Sequence, residues 1–341
     1  MIRMRYWIAL AALLVRLVMA GGDVSAADDP HKAALADYRR PAATPFPDDD
    51  RYSKAKADLG RMLFFDPILS GSGSRSCSSC HQPGLSWGDG LPRAIGEGQK
   101  PLALRAPTLL NMAWIPVLGW DGKFHNLEEV AFAPLTNPEN MNGNEAKLIA
   151  ALSAIPGYRT AFAHAFPDGD VSRPHIEQSL ATFERTVVSP PAPFDRWVDG
   201  DQSAVSASAK RGFTLFNGKA RCAECHSGWN FTDGAFYDIG DAKDGDIGRG
   251  RIFPSSEKLQ HAFKTPTLRD VARRAPYMHD GSVATLADVI DLYDRGGVDR
   301  PSRADLIAPL HLSAGEKADL IAFLNTLTSD STTFVVPELP R

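Results

Sequence analysis

The sequence predicts a mainly α-helical protein with two domains and long loops. Its 341 residues are enough for two domains, each with a hydrophobic core of its own. The pattern Cys-x-x-Cys-His occurs twice, ending at His81 and at His226, and it uses every cysteine of the chain. Stretches with apolar residues at helical spacing surround both copies. The duplication therefore predicts two helical domains that carry the same chemistry.

The first 26 residues have the features of a secretory signal peptide. Arg3 and Arg5 precede an apolar run over residues 7–20, and small residues follow before residue 27. Arg16 interrupts this run, and it is the feature that favours an uncleaved anchor. We predict cleavage after residue 26, a periplasmic mature protein and no membrane span after cleavage.

The mature chain is predicted to divide into an N-terminal domain, 27–195, and a C-terminal domain, 196–341. Prolines in "SPPAPFDRWVDGDQ" favour a boundary between them. The helical patterns are "KAKADLGRMLFF", "NEAKLIAALSAI" and "HIEQSLATFERTVV" in the first domain, and "SAKRGFTLF", "ATLADVIDLY" and "AGEKADLIAFLNTL" in the second. Ser313 and Glu316 predict a capping box at the start of the last helix.

The two Cys-x-x-Cys-His motifs predict two covalently bound haem c groups. In such a motif each thiol adds to a haem vinyl group, and the histidine that follows becomes the proximal iron ligand. The predicted attachment residues are Cys77, Cys80, Cys222 and Cys225, and the predicted iron ligands are His81 and His226. Each domain is therefore expected to have a cytochrome-c-like fold around one haem.

Other uses of paired cysteines agree less well with the sequence. Secreted proteins often form disulfides, and a single Cys-x-x-Cys motif can be a redox dithiol or half of a zinc site. Two copies, each followed by histidine and with no further cysteine in the chain, favour haem. The formal charge is −4, and no basic stretch is interleaved with aromatic residues, so no nucleic-acid partner is expected.

The sequence resembles the bacterial di-haem cytochrome c peroxidase and MauG family over nearly all of the chain from about Leu59. The stretches that carry the resemblance are "LGRMLFFDPILSGSGSRSCSSCH", "APTLLN", "GWDGKFHNLEEVAFAPLTNP", "FERTVVS", "GFTLFNGKARCAECHSG" and "TPTLRDVARRAPYMHDGSVATLADVIDLYDRGG". The resemblance implies that the N-terminal haem reacts with hydrogen peroxide and that the C-terminal haem stores or relays electrons. Trp120 matches the tryptophan between the haems, where an indole can be oxidised transiently; Trp87 and Trp114 are assigned to the core.

Two positions resemble the MauG branch of this family. Ordinary members cap the peroxidatic haem with a second histidine soon after the first motif, but no histidine occurs here between His81 and His125. Tyr293 stands where ordinary peroxidases have the methionine that ligates the C-terminal iron. A thioether raises the potential of the iron, whereas a phenolate favours its ferric and higher states. The resemblance thus implies an open N-terminal iron and Tyr293 as a ligand of the C-terminal iron.

The remaining catalytic assignments concern water and protons. His279, in "YMHDG", is expected near the peroxidatic haem, where it positions a distal water. The family cleaves peroxide with a glutamate of a Pro-x-Glu-Met stretch as acid and base. This chain has Glu139 and then Asn140, so Asn140 takes the place of the glutamate unless a small loop shift lets Glu139 serve; we assign Glu139. The histidines assigned to surface or packing roles are His125, His164, His175, His261 and His311.

Two further positions depart from the family pattern. The MauG tryptophan before the second motif, which passes oxidising equivalents to the partner, aligns near Ala220, so Trp229 is the nearby substitute. Calcium between the haems is held in the family partly by an asparagine in Arg-Asn-x-Pro-Thr, and "LRAPTL" places Ala106 there. The other calcium ligands would be backbone carbonyls around Arg274 and Pro276, so calcium stays open as a third cofactor.

The leading hypothesis is a MauG-like enzyme that uses hydrogen peroxide to form high-valent haem iron and oxidise a partner protein. By resemblance the partner bears tryptophan, as in maturation of the tryptophan tryptophylquinone of methylamine dehydrogenase, or is another exported protein, for example in copper handling. One alternative is an ordinary peroxidase that takes electrons from a small cytochrome or cupredoxin. Another is a non-catalytic di-haem electron carrier with two six-coordinate irons.

Overall fold

The computed structural model describes residues 31–330 and 334–341, so the predicted signal peptide, 1–26, lies outside the described residues. Within these ranges the helices are α1 Lys32–Ala36, α2 Lys54–Phe65, α3 Leu127–Thr136, α4 Glu145–Ala154, α5 Pro156–Ala165, α6 Arg173–Arg185, α7 Pro193–Val198, α8 Ala207–Asn217, α9 Leu286–Arg295 and α10 Ala314–Asn325. Strands β1, Phe236–Tyr237, and β2, Phe263–Lys264, pair antiparallel with Phe236 opposite Lys264. The predicted mainly helical fold is confirmed. No described helix combines the length and apolar character needed to cross a membrane.

All six helical patterns found in the sequence are helices in the structure. The predicted capping box begins α10, where the Ser313 hydroxyl accepts from Glu316 N at 3.3 Å and the Glu316 carboxylate accepts from Ser313 N at 2.8 Å. The unpredicted helices α5 and α7 each begin with proline, and α3 contains Pro134. Proline is compatible with the first turn of a helix, as in α5 and α7, but in a sequence it usually indicates the end of a helix. The prolines of α3, α5 and α7 therefore hid these helices from prediction.

Each half of the chain has its own core around one pair of long helices. In the first half α2 packs on α6, and in the second half α8 packs on α10. A glycine stands at the closest approach of each pair: a side chain at Gly60 would overlap the carbonyl of Ser179, and one at Gly212 would overlap the carbonyl of Asp319. These two glycines allow the helix backbones to touch.

The two cores do not follow the predicted domain boundary. A boundary after residue 195 falls inside α7, whose Phe194 and Trp197 are buried in the second core. Residues near the N-terminus also belong to that core, since the Tyr38 ring lies 5.7 Å from the ring of Phe194. The prolines before α7 are therefore nearer to the structural boundary than residue 195.

The chain ends cross between the two cores. Leu35 and Tyr38, close to the start of the described chain, are buried in the second core. Phe334, close to its end, packs on the first core, where its ring stacks on Phe65 at 5.3 Å and meets Trp87 edge-on at 5.1 Å. Each core is therefore completed by residues from the far end of the sequence.

Residues 105–136 and 264–295 form the same structure in the two halves. Each segment begins with a Pro-Thr-Leu sequence, continues through a left-handed residue, Asn111 or Asp270, and ends in a ten-residue helix, α3 or α9. The equivalent pairs, all at one spacing, include Arg105 and Lys264, Pro107 and Pro266, Trp120 and His279, and Pro134 and Tyr293. The two halves thus present different side chains from equivalent positions.

Candidate haem-binding site

A cavity of about 700 Å³ lies between the halves, and its walls include both Cys-x-x-Cys-His motifs. The walls are mainly apolar, as haem requires. The cavity brings together every residue that the sequence predicted for the site, namely Cys77, Cys80, His81, Trp120, Glu139, Cys222, Cys225, His226, His279 and Tyr293. The five histidines assigned to surface or packing roles do not line it.

Each motif folds into one tight helical turn. The backbone N–H of His81 donates to the carbonyl of Cys77 at 3.0 Å, and that of His226 donates to the carbonyl of Cys222 at 2.8 Å. None of the four cysteines is paired in a disulfide. The local geometry is therefore the same at both sites, and it agrees with attachment of one haem to each motif.

The two motif histidines are held in the form that binds iron. His81 Nδ1 lies 3.1 Å from the carbonyl oxygen of Trp87, and His226 Nδ1 lies 2.9 Å from that of Phe231. Because a carbonyl only accepts, Nδ1 carries the proton and Nε2 keeps its lone pair. Burial lowers the pKa of both imidazoles, which favours the neutral ligand form.

Basic side chains in the cavity match the acidic groups of haem. Arg105, Lys264 and Arg274 line the walls, and none forms an ion pair with a described acidic residue. Burial lowers the pKa of Lys264 to about 8 and that of Arg274 to about 10. The three side chains donate to backbone carbonyls, and the propionates of two haems would supply the opposite charge that buried cations need. The residues present therefore fit two haem c groups.

Trp120 and His279 lie at the junction of the halves, linked by reciprocal backbone hydrogen bonds. Arg105 N–H donates to the His279 carbonyl at 3.1 Å, and Lys264 N–H donates to the Trp120 carbonyl at 2.9 Å. The Trp120 indole N–H donates to the Arg105 carbonyl at 3.1 Å. The indole is thus fixed on the wall of the cavity that both motifs line.

The helices α3 and α9 present different side chains to the cavity at equivalent positions. On α9 this residue is Tyr293, and burial together with the nearby Asp241 raises the pKa of its phenol. On α3 the residue is Pro134, which offers no side-chain donor atom. At this position the C-terminal half presents a phenol oxygen, and the N-terminal half presents no side-chain donor atom.

His279 is clamped between two carboxylates that the sequence analysis did not find. Its Nε2 lies 2.9 Å from Asp246, its Nδ1 lies 3.6 Å from Asp241, and its ring stacks on Phe263 with centroids 3.6 Å apart. Burial lowers the pKa of His279, but the two carboxylates outweigh it and raise that pKa. All these ring contacts come from the C-terminal half, although His279 was predicted beside the N-terminal haem. The aspartates belong to a distant loop, so no local pattern indicated them.

Glu139 and Asn140 both line the cavity. Glu139 is exposed, its N–H donates to the Asn137 side chain at 2.8 Å, and its carbonyl accepts from Glu97 at 2.9 Å. Asn140 is half-buried. The loop therefore brings both candidates to the same wall, and Glu139 stays the predicted acid and base.

Glu184 is a further cavity residue that the sequence analysis missed. It belongs to the buried face of α6 and is 6% exposed, and its Oε2 has no hydrogen-bond partner among the described residues. Burial raises the pKa of Glu184 to about 8, against the lowering effect of Arg185. An acidic residue within the apolar pattern "ATFERTVV" was the signal that could have found it.

Trp229 follows His226 of the second motif by three residues in the sequence. Its ring packs edge-on against Trp114 with centroids 4.7 Å apart, and the Arg40 guanidinium lies 5.3 Å from its centroid. Ala220, where MauG has tryptophan, is buried. Trp229 and Trp114 therefore form an indole pair outside the cavity wall.

Comparison with known proteins agrees with this geometry. Residues 54–203 match the family described as di-haem cytochrome c peroxidase, and residues 209–328 match cytochrome c. The methylamine utilization protein MauG of Methylorubrum extorquens is 47% identical over 310 residues, which cover 90% of this chain and 88% of that protein. MauG of Methylophilus methylotrophus is 45% identical over 89% of this chain and 91% of its own length.

More distant relatives share the same architecture. Cytochrome c551 peroxidase of Nitrosomonas europaea is 32% identical over 100% of this chain and 96% of its own. The crystal structure of a MauG-like protein associated with microbial copper homeostasis is 32% identical, with a TM-score of 0.80 over 86% of this chain and 95% of that chain. The two cytochrome-c-like domains, the haem c cofactors and the peroxidase-type chemistry are therefore shared features. This chain belongs to the di-haem cytochrome c peroxidase and MauG family of haem-dependent oxidoreductases.

Proposed function

We propose that this enzyme uses hydrogen peroxide to oxidise a partner protein from a distance, in the manner of MauG. The observation that carries the proposal is the pairing of Tyr293 with Pro134 at equivalent positions of α9 and α3. Bound haem iron supplies the centre where peroxide is reduced and oxidising equivalents are held. The protein decides which iron is open, and Pro134 leaves the N-terminal position without a side-chain ligand.

The other cavity side chains are proposed to hold the haems, transfer oxidising equivalents and move protons. Cys77 and Cys80, with His81 as ligand, would hold the N-terminal haem, and Cys222 and Cys225, with His226 and Tyr293, would hold the C-terminal haem. Trp120, fixed on the Arg105 carbonyl, would let the two sites share oxidising equivalents. Glu139 would accept a proton from peroxide and return it to the leaving oxygen. His279, between Asp241 and Asp246, would position water.

The substrate is proposed to be a tryptophan-bearing exported protein. Relatives include proteins named for methylamine utilization and a MauG-like protein associated with copper homeostasis, so a methylamine dehydrogenase precursor and a copper-handling protein are both candidates. Trp229, with Trp114 beside it, would replace the missing tryptophan at Ala220 as the exit toward the partner. The mature enzyme would work in the periplasm.

Electron paramagnetic resonance of the fully oxidised protein tests the proposal. We expect one high-spin and one low-spin ferric signal, and both should decrease together after one equivalent of hydrogen peroxide without added reductant. Two low-spin signals that do not change with peroxide until one haem is reduced would instead identify an ordinary peroxidase, which receives electrons from a small cytochrome or cupredoxin. Two low-spin signals with no peroxide or cyanide reactivity in any redox state would identify an electron carrier.

Exchanging the equivalent residues gives a sharper test of the same proposal. Pro134→Tyr offers a phenol to the N-terminal site, and we expect the high-spin signal to become low-spin and the reaction with peroxide to slow. Pro134→Ala is the matched control, because it removes the proline ring without adding a ligand. Tyr293→Met should change the spectrum and potential of the C-terminal haem. An unchanged spectrum in Tyr293→Met would show that Tyr293 is not a ligand.

A further inference from the structure

Two equivalent basic side chains join the halves across the cavity. The Arg105 guanidinium, from the first half, donates from Nη2 to the carbonyl of Arg274 at 3.0 Å. The Lys264 ammonium, from the second half, donates to the carbonyl of Val117 at 3.3 Å. Each half therefore sends one cation to a backbone carbonyl of the other half.

One of these cations lies where the family resemblance implied calcium. Counting back from Pro107, the asparagine of Arg-Asn-x-Pro-Thr falls on Arg105 rather than on Ala106. The Arg274 carbonyl, one of the expected calcium ligands, accepts a hydrogen bond from that same Arg105 side chain. Arg105 thus stands where the family has the asparagine ligand, and its guanidinium occupies the Arg274 carbonyl that would otherwise bind calcium.

The residues around this point do not fit calcium. Calcium takes six to eight oxygen ligands, usually with several carboxylates. The described residues contain no group of three or more acidic, histidine or cysteine side chains able to hold a metal ion. Two guanidiniums lie at this point. Burial and, after it, the charge of Arg105 lower the pKa of Arg274, while Asp89 acts on Arg105 and Asp270 acts on Arg274 in the opposite direction. A divalent cation placed there would meet the charges of Arg105 and Arg274, and the Arg274 carbonyl that should bind it already accepts from Arg105.

We propose that the guanidinium of Arg105 replaces the calcium ion between the two haem sites, so that the halves are joined without a metal. Arg105 is then a positioning residue. Its carbonyl accepts from the Trp120 indole and its N–H donates to the His279 carbonyl, so the side-chain anchor on Arg274 fixes the segment that orients both. The inference does not depend on which protein the enzyme oxidises.

Metal analysis of the full-length holoprotein tests the proposal directly. We expect calcium far below one ion per chain, and no change in the oxidised resonance spectrum or in thermal unfolding when the chelator EGTA or calcium chloride is added. One tightly bound calcium per chain, whose removal by EGTA changes the spectrum, would overturn the proposal.

Variants at Arg105 test the replacement itself. Arg105→Asn restores an amide oxygen and releases the Arg274 carbonyl, so the variant should bind calcium at least roughly tenfold more tightly than the natural protein in calorimetric titration. Arg105→Lys keeps the charge and should stay independent of calcium. Arg93→Asn is the matched control, since the exposed Arg93 guanidinium also donates to a backbone carbonyl, that of Ala103. An Arg105→Asn protein that folds, loads haem and gains no calcium affinity would count against the replacement.

Discussion

At the scale of single residues, Glu184 shows how the cavity changes an ordinary acid. The carboxyl is buried beside the N-terminal motif. Burial is the main cause that raises the pKa of the Cys77 thiol, and the charge of Glu184 is the second cause. Its own pKa is raised to about 8, so the folded protein binds a proton there that the unfolded chain releases near its ordinary value. Stability from this group is therefore complete at low pH and is lost as the pH rises through about 8.

The substitution Glu184→Gln removes this pH dependence. Between pH 5 and pH 8 the natural holoprotein should lose on the order of 2–4 kcal/mol of unfolding free energy relative to the variant. Urea unfolding at several pH values measures the difference. Glu177 is on the same helix but forms a surface ion pair with Arg173. The unfolding free energy of Glu177→Gln should therefore differ from that of the natural protein by the same amount at every pH. Parallel curves for Glu184→Gln and the natural protein would mean that Glu184 is ionised throughout.

At the scale of elements, the paired helices depend on their glycines. Gly212 lies where α8 meets α10, and a methyl group there would overlap the Asp319 carbonyl and press on the Phe323 side chain. Gly212→Ala should therefore destabilise the holoprotein by about 1–3 kcal/mol in urea unfolding. Gly315→Ala, in the first turn of α10 with open space around it, should be neutral or stabilising by up to about 1 kcal/mol. Equal effects of the two substitutions would show that the helices can separate without cost.

The sequence predicted those elements whose cause is local. The helices α8 and α9 have clear apolar periodicity, and each Cys-x-x-Cys-His motif sets its own turn, so these helices and turns were predicted correctly. The clamp on His279 and the bond from Arg105 to Arg274 join residues far apart in the chain, and no local pattern encodes them. Pro134 and Tyr293 are equivalent because residues 105–136 and 264–295 repeat the same structure. The repeat was not recognised in the sequence because most of the paired side chains differ.

At the scale of the whole molecule, the C-terminal tail supports the first haem site. Phe334 packs on Trp87, whose carbonyl accepts from His81 Nδ1. Phe334→Ala should therefore lower the unfolding free energy by about 1–3 kcal/mol and alter the spectrum of the N-terminal haem before that of the C-terminal haem. Val336→Ala, at an exposed tail position, should change neither quantity. A Phe334→Ala protein with natural stability and spectrum would show that the tail rests on the core without supporting it.

The crossing of the chain ends also sets an order of events during synthesis. The first Cys-x-x-Cys-His motif is made early, but Phe334, which packs against the core behind it, follows every residue of the second core in the sequence. The last residue of the second core is Leu327, which comes just after α10 and before Phe334. The second core can therefore close before Phe334 is available to the first core, so the half that carries the first motif is the last to complete its packing.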